Sequence, residues 1–508
     1  MWVLLPSLLL VITLLALVAL QRWRPAFKSY WFVATAGALL AALLTLGLRF
    51  SLPQAAHFPG WVLSDGLQFP LSFGLDGFSW SLSFTLLILL LASLLRSVRR
   101  ASDVSWPIWM PSLALAAAGL LAVAAADLLA VALTLLLLDI MIFAQHSAFA
   151  PDEGRAVLLE QFALSLGSVL LVLAAWATPA SYASLASLLL SVAGGLRLAL
   201  AAGPRVGTRQ PMPAFTTMLR YAPLAAGFVL LRFIQPFSGI ALHLSLVLLL
   251  AAALRWAVLA LAPNAPLQHM QRSTVALALA AAIAGATNAV LGFGLLLLYA
   301  ETLARLIGHY PQLRRPFMLV GALLFSGLWF TAAQGTSALY SAPLSPLLFA
   351  ALPLHALLLL GIVQRAGAPS EPPAPDEPWT LAVESIGAVL PLAMFVIAGL
   401  ILPLPFGGNS AAWWPAIVVL ALLAATWAGR IYLRRSGRQL LPPHFRQRMR
   451  LPQWRLPAPR QIAAGLSAAL AAVLRLLSSL LEGEAGLLWA LLFIALLISI
   501  FSQGGLAG

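Results

Sequence analysis

The chain has 508 residues, of which 62% are hydrophobic and 9% charged, with a mean hydropathy of +0.97 and a formal net charge of +14. Soluble domains carry about 25% charged residues, so the composition excludes a soluble globular protein and also a disordered chain. The apolar runs are continuous and long enough for helices, whereas the strands of a membrane β-barrel alternate polar and apolar residues. The sequence therefore predicts an all-α polytopic membrane protein.

The sequence shows no pattern that would hold a cofactor. It contains no cysteine, which removes disulfides, thiolate zinc sites and iron–sulfur clusters held by this chain. The histidines are scattered without metal-ligand spacing, and no GxGxxG or Walker pattern is present. We therefore expect neither a cofactor, a metal nor a catalytic site in the chain itself.

Apolar runs of about the length that spans a membrane follow one another along the chain. We expect about 14–16 transmembrane helices from them. The runs cover residues 3–20, 30–50, 78–95, 107–126, 127–145, 156–176, 184–203, 212–236, 239–262, 273–290, 291–308, 317–340, 344–363, 380–403, 412–430 and 485–502.

The basic residues are unevenly distributed between the loops. Those after the first, third, seventh and eleventh runs hold Arg22, Arg24, Lys28, Arg96, Arg99, Arg100, Arg205, Arg209, Arg314 and Arg315. Because cytoplasmic loops are enriched in Arg and Lys, we expect these loops in the cytoplasm of a bacterial inner membrane and both termini outside. The same distribution argues against a nucleic-acid partner.

The C-terminal part has an unusual composition. Residues 366–379 form a Pro-rich acidic linker, and residues 430–460 hold nine arginines. The arginine-rich segment is either a basic loop against anionic lipid or a docking surface for a partner. The following residues 461–481 carry a single charge, Arg475, and are typical of an interfacial helix before a last span.

Five segments, in the right order, resemble segments of the antiporter-like membrane subunits of respiratory complex I and of multisubunit cation/proton antiporters. They are FGLDGFSW (73–80), ADLLAVALTLLLLDIMIF (126–143), GGLRLAL (194–200) with PMPAFTTMLRYAPLAAGFVLLRF (211–233), HMQRSTVALAL (269–279) and FMLVGALLFSGLWF (317–330). The resemblance implies two inverted five-helix repeats, each with a broken helix. The expected units are 1–106, the repeats 107–236 and 237–363, the loop 364–379, core helices 380–430, the basic and interfacial segment 431–484, and the last span 485–508.

Prolines and a glycine mark the expected break of the first repeat. The helix over 184–203 ends at Gly203 and Pro204, and Pro211 and Pro213 follow. Such residues free backbone groups and bend or end a helix. The corresponding break of the second repeat is expected near Gln334 and Gly335.

In the family that the chain resembles, protons are thought to move along buried acids and lysines, and here most of these positions differ. The family's glutamate aligns with Asp139, and its first lysine aligns with Arg197. Other titratable positions of the family align with Leu219, Ala225, Gln271, Leu303 and Ser337. Arginine stays charged in proteins and cannot relay protons as a lysine does. Asp139 and Arg197 are therefore expected to form either a fixed ion pair or, less in keeping with arginine chemistry, a switch.

Further charged residues inside predicted spans are proton-path candidates, because charge within a span is costly. These are Glu160, Arg220, Glu301 and Arg305. Three of them have a structural alternative: Glu160 near a helix end, and Glu301 with Arg305 as a local pair four residues apart. Arg232 and Arg255 are long enough to snorkel, Glu384 also lies within a span, and His243 and His355 are expected to be packed or at the lipid edge.

The resemblance implies a membrane subunit of a complex I-like NADH:quinone oxidoreductase, a hydrogenase or a cation/proton antiporter, with a partly or wholly degenerate proton path. Its partners would be other membrane and hydrophilic subunits and lipid. The subunit would either translocate protons through Asp139 or serve as a scaffold. Alternatives are the antiporter-like half of a dissolved inorganic carbon uptake system with a soluble zinc partner, and a stand-alone transporter of an organic solute.

Overall fold

A computed structural model describes residues 2–24, 29–64, 67–98, 109–149, 154–203, 213–261, 267–309, 314–328, 331–340, 346–365, 378–401 and 413–435. The α-helices are α1 Leu5–Trp23, α2 Tyr30–Leu48, α3 Gly77–Leu95, α4 Met110–Ala124, α5 Leu128–Phe149, α6 Arg155–Ala177, α7 Ala183–Ala201, α8 Pro213–Leu231, α9 Gly239–Ala260, α10 Leu267–Ile283, α11 Thr287–His309, α12 Arg314–Phe325, α13 Ala351–Arg365, α14 Pro378–Ile401 and α15 Trp414–Arg435. Short 3₁₀ segments occupy Trp2–Leu4, Arg49–Ser51, Ala180–Tyr182, Ala332–Tyr340 and Pro346–Ala350.

The predicted all-α polytopic membrane fold is confirmed. Within the described ranges, nine helices are long and apolar enough to cross a membrane, and four shorter apolar helices accompany them. Every predicted run from 3–20 to 412–430 falls on a helix or on consecutive helical segments. The predicted last span 485–502 and the interfacial helix lie outside the described residues, as do most of the Pro-rich linker and the arginine-rich segment after Arg435, where α15 ends. The two inverted repeats and the unit boundaries stay predictions.

Burial divides the helices into central and peripheral ones. The apolar window of α3 is 94% buried and that of α8 is 89% buried, whereas that of α9 is only 22% buried. Helix α3 packs on α2, α4, α8 and α14, and α8 also packs on α7 and α11. In a membrane, lipid solvates outward-facing leucines, so the peripheral helices need no further cover to be stable.

A β-hairpin that the sequence analysis did not predict precedes α3. Strand β1 (Gln54–Ser64) pairs antiparallel with β2 (Leu67–Leu75), with Gln54 opposite Leu75 and register shifts between Phe58 and Trp61. A bridge from β2 reaches Ala125 in the connection between α4 and α5. The hairpin therefore packs on the ends of α4 and α5, and α5 also carries Asp139.

Helix ends in this bundle are set by specific residues. The side chain of Asp76 accepts from the backbone N–H of Ser79, and the Ser79 hydroxyl accepts from the Asp76 N–H, which forms a capping box at the start of α3. Between α10 and α11, Gly285 has a φ of +77° that other residues rarely adopt. This turn ends α10 at Ile283, so the predicted boundary at 290 was too late by seven residues and the predicted start at 273 was also late.

Candidate functional site

A buried ion pair lies between α5 and α7, two helices that separately pack on α6. Asp139, on the fourth turn of α5, and Arg197, on α7, meet through two parallel hydrogen bonds. Arg197 Nη2 donates to Asp139 Oδ1 at 2.7 Å, and Nη1 donates to Oδ2 at 3.0 Å. This two-pronged contact matches the planar guanidinium to the planar carboxylate and fixes both orientations.

Further contacts hold the Arg197 side chain in place. Nη1 also donates to the hydroxyl of Ser168 on α6 at 3.3 Å, and Nη2 approaches the carbonyl oxygen of Leu135 on α5 at 3.4 Å. Ser168 in turn donates to the Ser165 carbonyl at 2.6 Å. The side chains of Asp139 and Arg197 are 5% and 2% exposed. The pair is thus tied to three helices and almost wholly withdrawn from the surface.

A small cavity adjoins the ion pair. Its volume is about 50 Å³, counted as the space that the centre of a water molecule can occupy. This is enough for roughly three or four waters. Polar groups of α5, α6 and α7 face it beside apolar side chains; its lining includes Asp139, Gln161, Phe162, Ser165, Arg197 and Pro223. Among the described residues the Nε of Arg197 has no hydrogen-bond partner, and water in the cavity would satisfy it.

A proline in α8 adds a polar backbone group near this cavity. Pro223 lies inside the helix and has no N–H, so it removes the backbone hydrogen bond that would reach the carbonyl oxygen of Leu219. The sequence comparison with the family places a histidine at Leu219, but here the side chain is a buried leucine. The cavity therefore contains a carboxylate, a guanidinium, hydroxyl and amide groups, and no histidine or lysine among its lining residues.

This arrangement can bind water and fix charge, but its cation cannot exchange a proton. A guanidinium stays protonated at any pH that a folded protein survives. The Asp139 carboxylate accepts two charge-assisted hydrogen bonds from Arg197, and these contacts fix its orientation. A lysine at position 197 could give up its proton when its acid partner moved away; arginine cannot.

The structure places the remaining predicted residues as follows. Glu160 is half-buried on α6 and is not among the residues lining the cavity, and Arg220 is half-buried on α8 one turn before Pro223. Glu301 and Arg305 both lie on the C-terminal half of α11, but their side chains are outside the described part of the chain.

The predicted breaks fall at or beside the ends of helices. Gly203 follows the end of α7, and its N–H donates to the Leu200 carbonyl at 3.0 Å. Pro204 and Pro211 lie outside the described residues, and α8 begins at Pro213. In the second half, α12 ends at Phe325, Gly327 has a φ of +90°, and the residues predicted to mark the break lie inside the 3₁₀ segment Ala332–Tyr340.

The positions aligned with titratable residues of the family are apolar or uncharged. Leu219 and Ala225 are buried in the α8 packing, and Ser337 donates its hydroxyl to the Gln334 carbonyl. Gln271 on α10 is fully buried, and neither its amide nitrogen nor its oxygen has a partner among the described residues. The side chain of Leu303 is not described.

Sequence reasoning missed several polar contacts, because each joins residues distant in the chain. Arg232 Nη1 pairs with Asp76 Oδ2 at 3.3 Å, and the Tyr299 hydroxyl lies 3.3 Å from the Thr85 hydroxyl in the core. Nε2 of the buried His355 donates to the Phe325 carbonyl at 3.0 Å. The only sequence signal for these contacts was polarity inside an apolar run, which does not identify the partner.

An acid outside the predicted set ties the hairpin to the site helix. The Asp127 carboxylate accepts from the Ser72 hydroxyl at 2.6 Å and from the Ala130 N–H at 2.7 Å, so it caps α5 and anchors β2 together. Groups of three or more His, Cys, Asp or Glu side chains that could hold a metal are absent from the described residues. The absence of a cofactor stays a prediction.

Many solved structures share this fold, including three neighbours that are chains of complexes, although no protein-family model and no curated protein matches the sequence. A chain of the Mrp complex from Dietzia sp. DQ12-45-1b superposes with a TM-score of 0.63 and 14% identity over 99% of this chain and 63% of that chain. A chain of the membrane-bound sulfane sulfur reductase, an archaeal respiratory membrane complex, gives 0.56 and 15% over 97% and 99%. A chain of respiratory complex I from Thermus thermophilus gives 0.53 and 21% over 78% and 98%.

These identities establish the fold, not the activity. The present chain spans somewhat under two thirds of the Mrp chain but nearly the full length of the other two. All three neighbours are multisubunit membrane complexes by their descriptions. The protein is thus a polytopic membrane chain that shares its fold with one chain of each of these membrane complexes, in agreement with the sequence resemblance.

Proposed function

We propose that the chain is an antiporter-like membrane subunit of a multisubunit complex in which the ion pair Asp139–Arg197 is a fixed structural anchor, not a proton relay. The observation that carries the proposal is the two-pronged contact at 2.7 and 3.0 Å, buried to 5% and 2% exposure. The proton path of the first repeat would then be closed at position 197, and the subunit would act chiefly as a membrane scaffold.

The energetics favour a static pair. Separating the two groups would leave one charge buried without its partner, at a cost of about 3–5 kcal/mol. In a lysine-containing pair, transfer of the proton neutralises the stranded cation, but arginine offers no such escape. A transport cycle that separated Asp139 from Arg197 at every turnover would have to supply this free energy each time. The separation would still release no proton, because arginine keeps its proton.

Membership of a larger assembly is supported by the fold, since the three neighbours are all chains of multisubunit membrane complexes. We place the chain in a bacterial inner membrane with the arginine-rich loops in the cytoplasm, because positive charge is retained on that side. Other membrane and hydrophilic subunits of a respiratory, hydrogenase or antiporter complex would be its partners.

The first experiment identifies those partners. The tagged full-length protein is extracted from its native membrane in a mild detergent, and the co-purifying proteins are identified by mass spectrometry. Redox subunits or sister antiporter-like chains are the expected companions. Recovery of a soluble zinc protein as the sole companion, or of the chain alone, would contradict the proposed assembly.

The second experiment tests the anchor within the purified complex. Asp139→Asn keeps the shape of the side chain but removes its charge, and Asp76→Asn is a matched change at a site that is 48% exposed. Both complexes are reconstituted into vesicles, and ion translocation is followed with a pH-sensitive dye. Unchanged translocation per assembled complex is expected for both variants. Loss of translocation in Asp139→Asn alone, with all subunits still present, would show a proton path through Asp139 and refute the anchor.

A further inference from the structure

A second polar cluster lies where α9 ends and α10 begins, on a different pair of helices from the ion pair. Two arginines and a histidine surround one indole ring. The guanidinium carbon of Arg255 lies 5.1 Å from the centroid of Trp256, and that of Arg272 lies 4.6 Å from it. The ring of His269 stacks on the same indole at 5.2 Å with an interplanar angle of 26°.

The cluster carries positive charge without a compensating acid. Among the described residues, no carboxylate is within ion-pair distance of Arg255 or Arg272. Two guanidinium groups on one ring repel each other, and attraction to the ring offsets only part of that repulsion, at about 0.5–2 kcal/mol per contact. A site of this kind has a positive potential that favours an anion.

Two side-chain nitrogens of the cluster, the Nε of Arg255 and the Nδ1 of His269, are buried and also have no hydrogen-bond partner among the described residues. Stacking on an indole occupies the face of a guanidinium and leaves its edge, with the N–H groups, free for a ligand. Planar, forked N–H donors are matched to phosphate oxygens.

The surroundings indicate where such an anion would come from. Helix α9 is the most exposed of the nine candidate spans, and large apolar side chains project from it at Ile240, Leu244, Val247, Leu248 and Leu254. Leu254 directly precedes Arg255. An apolar helix face that ends in tryptophan and arginine provides acyl-chain contact along its length and a headgroup contact at its end. Soluble phosphate would use the second feature but not the first.

We infer that Arg255, Arg272 and His269 around Trp256 form a binding site for the phosphodiester headgroup of an anionic membrane lipid, whose acyl chains lie along α9. The cluster lies at the end of the ninth run and the start of α10, on the side of the membrane where the positive loops are expected, which is the cytoplasmic side. The inference does not depend on the role of Asp139, since no contact joins the two sites among the described residues.

The experiment measures lipid retention by the full-length protein. The protein is purified in detergent, offered phosphatidylglycerol, phosphatidylcholine or inorganic phosphate, and analysed by native mass spectrometry. The test variant is Arg255→Gln with Arg272→Gln. The matched control is Arg22→Gln with Arg24→Gln, which removes two exposed positive charges at the C-terminal end of α1, on the same expected side of the membrane.

Wild-type protein and the control should retain phosphatidylglycerol over phosphatidylcholine. Each arginine near an anionic headgroup contributes about a fivefold preference, so the test variant should lose about 25-fold in retention. Equal retention of both lipids by the wild type, or an unchanged preference in the test variant, would overturn the inference. Binding of inorganic phosphate without phosphatidylglycerol retention would also overturn it, because it would identify a soluble anion as the ligand.

Folding of the test variant is checked by its elution as a single species and by its thermal midpoint. A second measurement on the wild type alone does not rely on that variant. Increasing NaCl screens headgroup charge, so phosphatidylglycerol retention should fall with salt while phosphatidylcholine retention does not. A salt-independent retention of phosphatidylglycerol would contradict a site built on Arg255 and Arg272.

Discussion

Replacing Arg197 by methionine is the most direct test of the buried pair. The change keeps an unbranched apolar stem but removes both donors to Asp139, which is 5% exposed. The stranded carboxylate should destabilise the fold by about 3–5 kcal/mol. If the carboxyl takes up a proton instead, doing so at pH 7 costs about 4 kcal/mol, because an ordinary carboxyl has a pKa near 3.9. A stranded carboxylate and a protonated carboxyl therefore lead to similar losses of stability, of about 3–5 and about 4 kcal/mol.

A double variant distinguishes the free energy of the interaction between Asp139 and Arg197 from the contribution of each residue alone. Asp139→Leu with Arg197→Met replaces both charges by apolar groups of similar volume, a change that is often neutral or stabilising by about 1–4 kcal/mol. The two single variants would add to roughly 6–10 kcal/mol if they were independent, so the cycle should show a coupling energy of several kcal/mol.

The assay is denaturant unfolding of the detergent-solubilised protein, followed by the intrinsic fluorescence of its tryptophans. Arg22→Met, at an exposed position in the last turn of α1, controls for the loss of an arginine as such and should change stability by less than about 0.5 kcal/mol. A cost below about 1 kcal/mol for Arg197→Met, or additive single and double variants, would refute the buried, coupled pair. Lowering the pH toward 4 should reduce the cost of Arg197→Met, since protonation of the stranded carboxyl then becomes cheap.

Three further changes test packing and capping elsewhere in the bundle. Gly292→Ala places a methyl group against the backbone of the 3₁₀ segment after α12 and should cost about 1–3 kcal/mol, whereas Gly167→Ala, in open space on α6, should be neutral or stabilising in the same unfolding assay. His355→Phe keeps an aromatic ring but leaves the Phe325 carbonyl without its donor, so unfolding should require about 1–3 kcal/mol less; an unchanged stability would contradict the contact. Asp127→Ala removes a helix cap and the hairpin anchor, and should cost about 0.5–2 kcal/mol and speed amide exchange in strand β2. Exchange as slow as in the wild type would show that the hairpin does not depend on this acid.

The helices could be predicted from sequence because the membrane imposes a length and a composition on each span. Helix boundaries were less predictable where consecutive runs join without a polar loop. Residues 273–308 are nearly continuous in their apolar character. The turn between α10 and α11 depends on the positive φ of Gly285, and a glycine in the sequence does not by itself show that it adopts a positive φ.

The hairpin could not be predicted in the same way. Its stability comes from pairing between residues such as Gln54 and Leu75 and from the anchor at Asp127, which is 55 positions from Ser72. Mixed polar and apolar residues between two long apolar runs are typical of a loop, and no local pattern in 54–75 reports the distant carboxylate. Its omission illustrates how tertiary contacts decide strand formation.

For the site, the sequence supplied both members of the ion pair but not their geometry. The family resemblance pointed to Asp139 and Arg197, and charge inside an apolar run is expensive enough to require a partner, so a contact between the two was expected before any distance was known. The sequence could not show that Glu160 would lie outside the cavity lining, nor that Arg232 would pair with Asp76.

The proposed scaffold role depends on the chemistry of one substitution more than on the loss of the other aligned residues. The leucine, alanine and serine at the other aligned positions remove a titratable group from a proton relay but do not block it, since water in a cavity can still bridge a missing side chain. Arginine at position 197 interrupts it actively: it keeps a permanent charge beside Asp139 and holds that carboxylate by both oxygens. A proton arriving at this cavity would meet a carboxylate already neutralised by a cation that cannot leave. The buried pair would therefore preserve the packing of α5 and α7 with α6 while closing the path that the same two positions would open with a lysine.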